Sequence, residues 1–301
     1  MSCLKMNKIL VKKYYLRKAS KWLKRMLIPK SIQTYGIVRK WKQDDKRDWS
    51  VVANQNDVSI NRYEYSFLSQ NGEDGIIKYL FSEIGFESKY FVEFGFGAKQ
   101  SNSLRLMLKE DFNGLFMDGS QEQCSRFNQA SEKMGISGVK AVCTFLTAEN
   151  IDALLKENHA PYAVDFLSID VDGNDYWLWQ KITSIDPRVV CIEYNSGIGY
   201  EQSWAIPYDP DFERFAAHPS GFFAGASLKA LESLGKNKGY RLVGCDNTGT
   251  NAFFLRNDLG IPAIPTLGVR EAFKPHLNWL GRGFSEAEQY EIMASMPYEE
   301  V

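Results

Sequence analysis

The chain has 301 residues, 44% hydrophobic and 14% aromatic, enough apolar material to bury the core of one large α/β domain with attachments, which excludes a disordered protein. Its net charge of -1 hides an asymmetry: residues 1–50 hold 15 Lys and Arg against 3 acids, a local +12, and the remainder carries 21 against 34, a local -13. Positive charge confined to an N-terminal arm argues against a sequence-unspecific nucleic-acid binder, and five scattered cysteines without CxxC spacing argue against a disulfide framework or structural zinc site and suit a reducing cytoplasm.

Along the chain, residues 1–50 come first as a basic arm. Ile9, Tyr15, Leu16, Ala19, Trp22, Leu23, Met26 and Leu27 recur at roughly helical spacing among lysines and arginines, which predicts an amphipathic helix ending near Pro29. No run of about 18 apolar residues exists, and lysines interrupt the stretch that a cleavable signal would need to keep apolar. The arm is expected either to lie on an anionic membrane surface, making the protein peripheral there, or to pack on its own acidic domain.

Residues 65–256 alternate strands and helices, the pattern of a mostly parallel sheet covered on both faces. A helix over "NGEDGIIKYLFSEIG" leads to the strand "YFVEF", and a helix over "SNSLRLMLKE" to "GLFMD". Then come a helix around "EQCSRFNQASEKMG", a strand near "GVKAVCTF", the helix "AENIDALLKENH" and the strand "AVDFLSID", whose apolar run predicts burial on both faces. "RVVCIEYN" is a further strand, "SLKALESLGKNKG" a helix, and "YRLVGCD" with "NAFFLR" a closing antiparallel pair. Residues 257–301 read as a C-terminal attachment with one helix near "SEAEQYEIMASM".

In such a sheet, ligands bind beyond the carboxyl ends of the strands. There the first strand runs into "EFGFGAKQSNS", where Glu93, Gly95 and Gly97 alternate before a helix start that favours negative charge. The second ends at Asp118, 21 residues beyond Gly97, placed to accept hydrogen bonds from both hydroxyls of a cofactor ribose. A dinucleotide fingerprint wants a third glycine where this chain has "AKQS". S-adenosylmethionine (SAM), with no pyrophosphate and a cationic sulfonium, suits an acidic Glu93 and a looser turn better.

The ordered segments "SQNGEDG", "FVEFGFGAKQSNS", "GLFMDGS", "FLSIDVDGNDYW", "VVCIEYN" and "NAFFLR" resemble the FkbM-type SAM-dependent methyltransferases over roughly residues 65–256. Many members of that family have a D-x-G-A-N-x-G loop, where this chain has Glu93 first and Lys99 at the last glycine. The resemblance implies a Rossmann-like methyltransferase sandwich, SAM as donor, and O-methylation of a hydroxyl on a glycan or natural product. Glu93, Gly95, Gly97 and Asp118 are then expected at the donor, with Gln70 of "SQNGEDG" near its amino-acid end or capping a helix instead.

Asp170 ends the fourth strand, Asp172 and Asp175 follow, and the fifth strand ends with Glu193 and Asn195. Adjacent strand ends would gather these oxygens, which suit a hard cation, so Asp170, Asp172, Glu193 and Asn195 are candidate ligands for Mg²⁺ or Mn²⁺. The D-x-D-x-x-D-Y run is similar to metal-dependent sugar O-methyltransferases of the macrocin type, with a different spacing. Without metal, Asp170 is a candidate general base, and Asp172 and Asp175 would cap the next helix. The long aromatic insertion after the fifth strand reads as a lid or acceptor-binding segment, its His218 as a second candidate base, and Tyr200, Trp204 and Tyr208 as acceptor platforms or as packing. Two rival readings are an NAD-linked sugar oxidoreductase and a non-catalytic module tethered by its arm.

Overall fold

The computed structural model describes residues 30–45 and 59–301, so the expected helix ending near Pro29 lies outside the described residues. The first element is α1 (Lys30–Trp41), whose Thr34, Ile37 and Trp41, spaced three and four apart, form one buried stripe. It packs against α4 (Gln121–Met134), and Thr34 Oγ1 donates to Gln129 Oε1 at 3.1 Å.

The sheet has seven strands: β1 (Tyr90–Phe94), β2 (Asn113–Asp118), β3 (Val139–Cys143), β4 (Ala163–Ile169), β5 (Asp186–Glu193), β7 (Tyr240–Cys245) and β8 (Asn251–Arg256). A two-residue strand, β6 (Trp204–Ala205), stands apart from it. Their order is β3-β2-β1-β4-β5-β8-β7, with the first five parallel and β8 antiparallel to both neighbours. This is the Rossmann-like methyltransferase sandwich anticipated above, with β8 inserted between β5 and the edge strand β7. The chain crosses from β3 to β4 past β1, so the carboxyl ends of β1 and β4 border the switch point, the place where ligands bind in open α/β sheets.

Each face has its own core. Val92, Leu167, Val190 and Ile192 belong to one, and Phe91, Phe166, Val189, Cys191 and Phe253 to the other. Six of the seven residues of β4 are buried, as a strand covered on both faces requires. The second face is covered by α2 (Glu73–Ile84), α3 (Leu104–Lys109) and α4, the first by α5 (Ile151–Glu157), α6 (Asp175–Lys181) and α8 (Leu228–Asn237). At the amino ends of the strands, Arg188 Nη1 donates to the buried Asp165 and to the Gly85 carbonyl, both at 2.9 Å, and Nη2 donates to the Ile84 carbonyl at the C-terminus of α2 (2.9 Å).

The segment after β8 carries α9 (Val269–Ala272), α10 (Leu277–Leu280) and α11 (Glu286–Ala294), and its end, β9 (Glu299–Glu300), pairs antiparallel with β6 in the insertion. Ile198, Phe222, Trp279 and Met293 form a small core between insertion and C-terminal segment. Cys124, Cys191 and Cys245 are buried as apolar residues, whereas Cys143 is exposed. Among the described residues, no helix is long and apolar enough to cross a membrane.

Candidate functional site

The turn after β1 is built for close approach. Gly95 has φ +72°, and a Cβ there would overlap the Asp170 carbonyl oxygen at the end of β4. A side chain is excluded on two grounds, handedness and space. Phe96, between the glycines, turns inward onto Phe116 (4.6 Å) and Phe127 (5.6 Å). Gly97 closes the turn by accepting from Gln100 N at 2.9 Å.

Glu93 was expected to face the donor, and its placement corrects that. It is buried beneath the turn, where Oε1 accepts from Asn102 N (3.2 Å) and Oε2 from Ser103 N (2.8 Å), the free donors at the start of α3. Burial raises its pKa to about 7, with the hydrogen bonds from Ser103 and Ser101 opposing. It shapes the loop from within. Glu73 and Asp74 of "SQNGEDG" also serve their own loop: Asp74 Oδ2 accepts from the amides of Phe67, Leu68 and Ser69, and Glu73 accepts from Asn71 N and Asn251 Nδ2. Gln70 is exposed on this loop, which Ser101 N and Gln100 Nε2 tie to the glycine turn through the carbonyls of Leu68 and Ser69.

Asp118 ends β2 half-buried, accepting from Ser120 N at 2.6 Å. Burial raises its pKa, against the pull of the Ser120 and Phe96 amides. Beside it stands an aromatic residue that the sequence reading passed over: Phe145, after β3, is 56% exposed and lies against Gly119.

The carboxylates of Asp170, Asp172 and Glu193 converge, with one oxygen from each within 4.8 Å of the others. Burial, then the negative charges of Glu193 and Asp172, push Asp170 well upward. Glu193 moves the same way, for burial first and with Arg214 opposing. Asp172 stands at φ +61°, a left-handed backbone, with its side chain 71% exposed. Asp175, by contrast, accepts from Val171 N (2.9 Å) and Gly173 N (3.0 Å), amides that precede α6, so it fastens the turn and does not cap the helix as expected.

Two expected members depart from this group. Asn195 is not turned to the carboxylates: its Nδ2 donates to the carbonyls of Phe222 and Ala224, both at 2.8 Å, and Oδ1 accepts from Gly197 N at 3.2 Å. Two residues past β5 the chain has already turned, so Asn195 anchors the insertion. His218 ends the short helix α7 (Arg214–Ala217), its Nδ1 2.6 Å from Ser220 Oγ, and burial lowers its pKa. The residue of α7 that reaches the carboxylates is Arg214, with Nη1 2.6 Å from Asp172 and 3.8 Å from Glu193. It is the only Lys or Arg of the insertion at 196–226, and that isolation among acids was its signal.

The insertion's aromatics pack more than they present. Trp204 stacks with Tyr298 (5.9 Å), Tyr200 packs on Phe273 (5.4 Å), and the Tyr208 hydroxyl accepts from Ala148 N at 2.9 Å and donates to Glu149. His276 of the C-terminal segment, also unanticipated, stacks on Trp279 at 4.2 Å. Its Nδ1 is buried without a partner, and burial, with Arg214 and Arg282 nearby, lowers its pKa to about 4.

No family model matches the chain, and no curated protein matches it. Among solved structures, it is similar to the N-terminal domain of EvdMO1 with SAH bound, at 12% identity over 76% of this chain and 95% of that one, with a TM-score of 0.41. It is also similar to an O-methyltransferase from Bacillus cereus in complex with SAH (15% identity, 79% and 96%, TM-score 0.40). A third is the magnesium protoporphyrin IX methyltransferase ChlM from Synechocystis PCC 6803 with bound SAH (13%, 69% and 92%, TM-score 0.40). At such identities these likenesses concern the fold alone.

Proposed function

We propose that the protein is a SAM-dependent methyltransferase that methylates a hydroxyl on a glycan or small natural product. One observation carries the reading: the Gly95 backbone lies against the Asp170 carbonyl, so the donor turn and the carboxylate trio stand side by side at the strand ends. The donor's amino-acid end lies along the Gly95–Gly97 turn, its ribose hydroxyls donate to Asp118, and its adenine rests on Phe145. Asp170 and Glu193 face the acceptor. The reaction needs the acceptor oxygen to lose a proton as it attacks the methyl carbon and the carbon–sulfur bond breaks.

The trio is an all-oxygen donor set whose mutual repulsion is only partly offset by Arg214, so it fits Mg²⁺ or Mn²⁺ through Asp170, Asp172 and Glu193 without Asn195. A bound cation would lower the pKa of the acceptor hydroxyl and hold its oxygen in line. The Arg214 contacts favour a second form, in which the guanidinium supplies the counter-charge and Asp170 takes the proton itself. The basic arm brings the enzyme to anionic membranes, where lipid-linked glycans are available.

The test is transfer of labelled methyl from SAM to a panel of free and lipid-linked oligosaccharides and hydroxylated small molecules, with Mg²⁺ and with EDTA. Transfer by wild type and its loss in Asp170→Asn are expected, and EDTA separates the two forms. Binding of NAD without SAM would replace the reading by an oxidoreductase, and binding of neither by folded protein would make it a non-catalytic module.

A further inference from the structure

The glycine turn is held from three sides. From beneath, Glu93 draws in the amides of Asn102 and Ser103; from one flank, the carbonyls of Leu68 and Ser69 take Ser101 N (3.0 Å) and Gln100 Nε2 (3.1 Å). The third hold is on Ala98, a residue with no polar side chain of its own, and half of it comes from α1, ahead of the sheet domain. Its N–H points to Gln123 Oε1 at 3.4 Å, and its carbonyl accepts from Trp41 Nε1 at 3.0 Å within the buried interior. The indole packs on Phe127 at 5.2 Å, the same ring that carries Phe96 of the turn.

Trp41 has little freedom to move. Ile37 is buried a turn earlier, and beyond α1 the chain is pinned at Asp45, which accepts from the buried Arg105 Nε (3.0 Å) and from the Tyr65 hydroxyl (2.6 Å). Lys109 Nζ also holds the Gln43 carbonyl at 3.2 Å. A donor held on both sides along the chain keeps an acceptor in place more firmly than a mobile one, because the ordering cost falls on the fold and not on ligand binding.

We propose that Trp41 is a positioning residue for the donor-binding turn: its indole N–H on the Ala98 carbonyl sets the turn beside Asp170, so donor affinity depends on a helix that precedes the sheet domain. The inference rests on the turn being the donor site. It makes residues 30–45 part of the binding apparatus instead of a leader to the fold.

The experiment uses the full chain and two variants. Trp41→Phe keeps an aromatic ring and removes the N–H, while the control Tyr240→Phe removes a comparable buried hydrogen bond, from the hydroxyl to the Pro187 carbonyl (2.7 Å), at the β7 edge of the sheet. Affinity for S-adenosylhomocysteine (SAH) is measured by calorimetry, and amide hydrogen exchange is followed at residues 95–100. In Trp41→Phe the dissociation constant should rise about three- to tenfold and those amides should exchange faster, with neither change in Tyr240→Phe. Wild-type affinity in Trp41→Phe, or equal weakening in both variants, would overturn the inference. If wild type itself binds no SAH, the donor reading fails separately, and unchanged exchange in Trp41→Phe would then overturn the positioning of the turn as well.

Discussion

At the scale of single residues, the site depends on a glycine and on three like charges. Gly95→Ala combines a left-handed φ with overlap on the Asp170 carbonyl, so it should cost at least about 2 kcal/mol and weaken SAH binding, as thermal melts and titration would report. The carboxylates lead to a different expectation. Arg214 bridges Asp172 and Glu193, so a guanidinium competes with a divalent cation for the same oxygens. Mn²⁺ affinity, read by water proton relaxation, should tighten in Arg214→Ala and be lost in Asp170→Asn, whereas an unchanged affinity in both would remove the metal from the account. The pairing of Asp170 with Glu193 was legible in the sequence because parallel neighbours β4 and β5 end together. Asn195 misled because strand register stops at Glu193. Arg214 and His276 enter through tertiary packing of segments whose path no local period encodes.

At the scale of elements, the buried pair at the amino ends of the strands is a pure test of folding against function. Asp165 is fully buried and accepts from Arg188, Glu87 N and Lys89 N, so Arg188→Ala leaves an uncompensated charge and uncaps α2. It should cost about 3–5 kcal/mol in denaturant unfolding. Because the pair lies at the opposite end of the strands from the site, SAH affinity of the folded fraction should not change. The inner strands were legible as apolar runs, since burial on two faces leaves little room for polar residues, and the edge strand β3, with two of five residues buried, was legible from its position between helices. Helix α1 was not, because its three buried residues are diluted by the basic composition of its surroundings. The β6–β9 ladder was not either: two residues on each side carry no period, and only docking of the C-terminal segment brings them together.

At the scale of the whole molecule, buried acids set a pH dependence of stability. Burial raises Asp74 to about 6, and Glu93 and Asp246 to about 7, from ordinary values near 4. Each holds its proton more tightly folded than unfolded, so its contribution is full below the unfolded pKa and is lost as pH rises through the folded one. The three acids together outweigh the opposing buried His276, so the melting temperature should fall between about pH 4 and pH 7 in scanning calorimetry, and a rise from about pH 6 to pH 7, above most of the His276 range, would contradict the burial of these groups. The charge asymmetry has its own consequence: the full chain should co-sediment with vesicles rich in anionic lipid at low salt and be released as salt rises, and removal of residues 1–29 should abolish this.

The most direct measurement is calorimetric titration of the full chain with SAM, beside Asp118→Ala. The account predicts saturable one-site binding that weakens about tenfold or more when the ribose partner is removed, with the melting temperature of the free variant little changed. Folded wild-type protein that takes up no SAM, or binds it equally well without Asp118, would contradict the placement of a donor at this site.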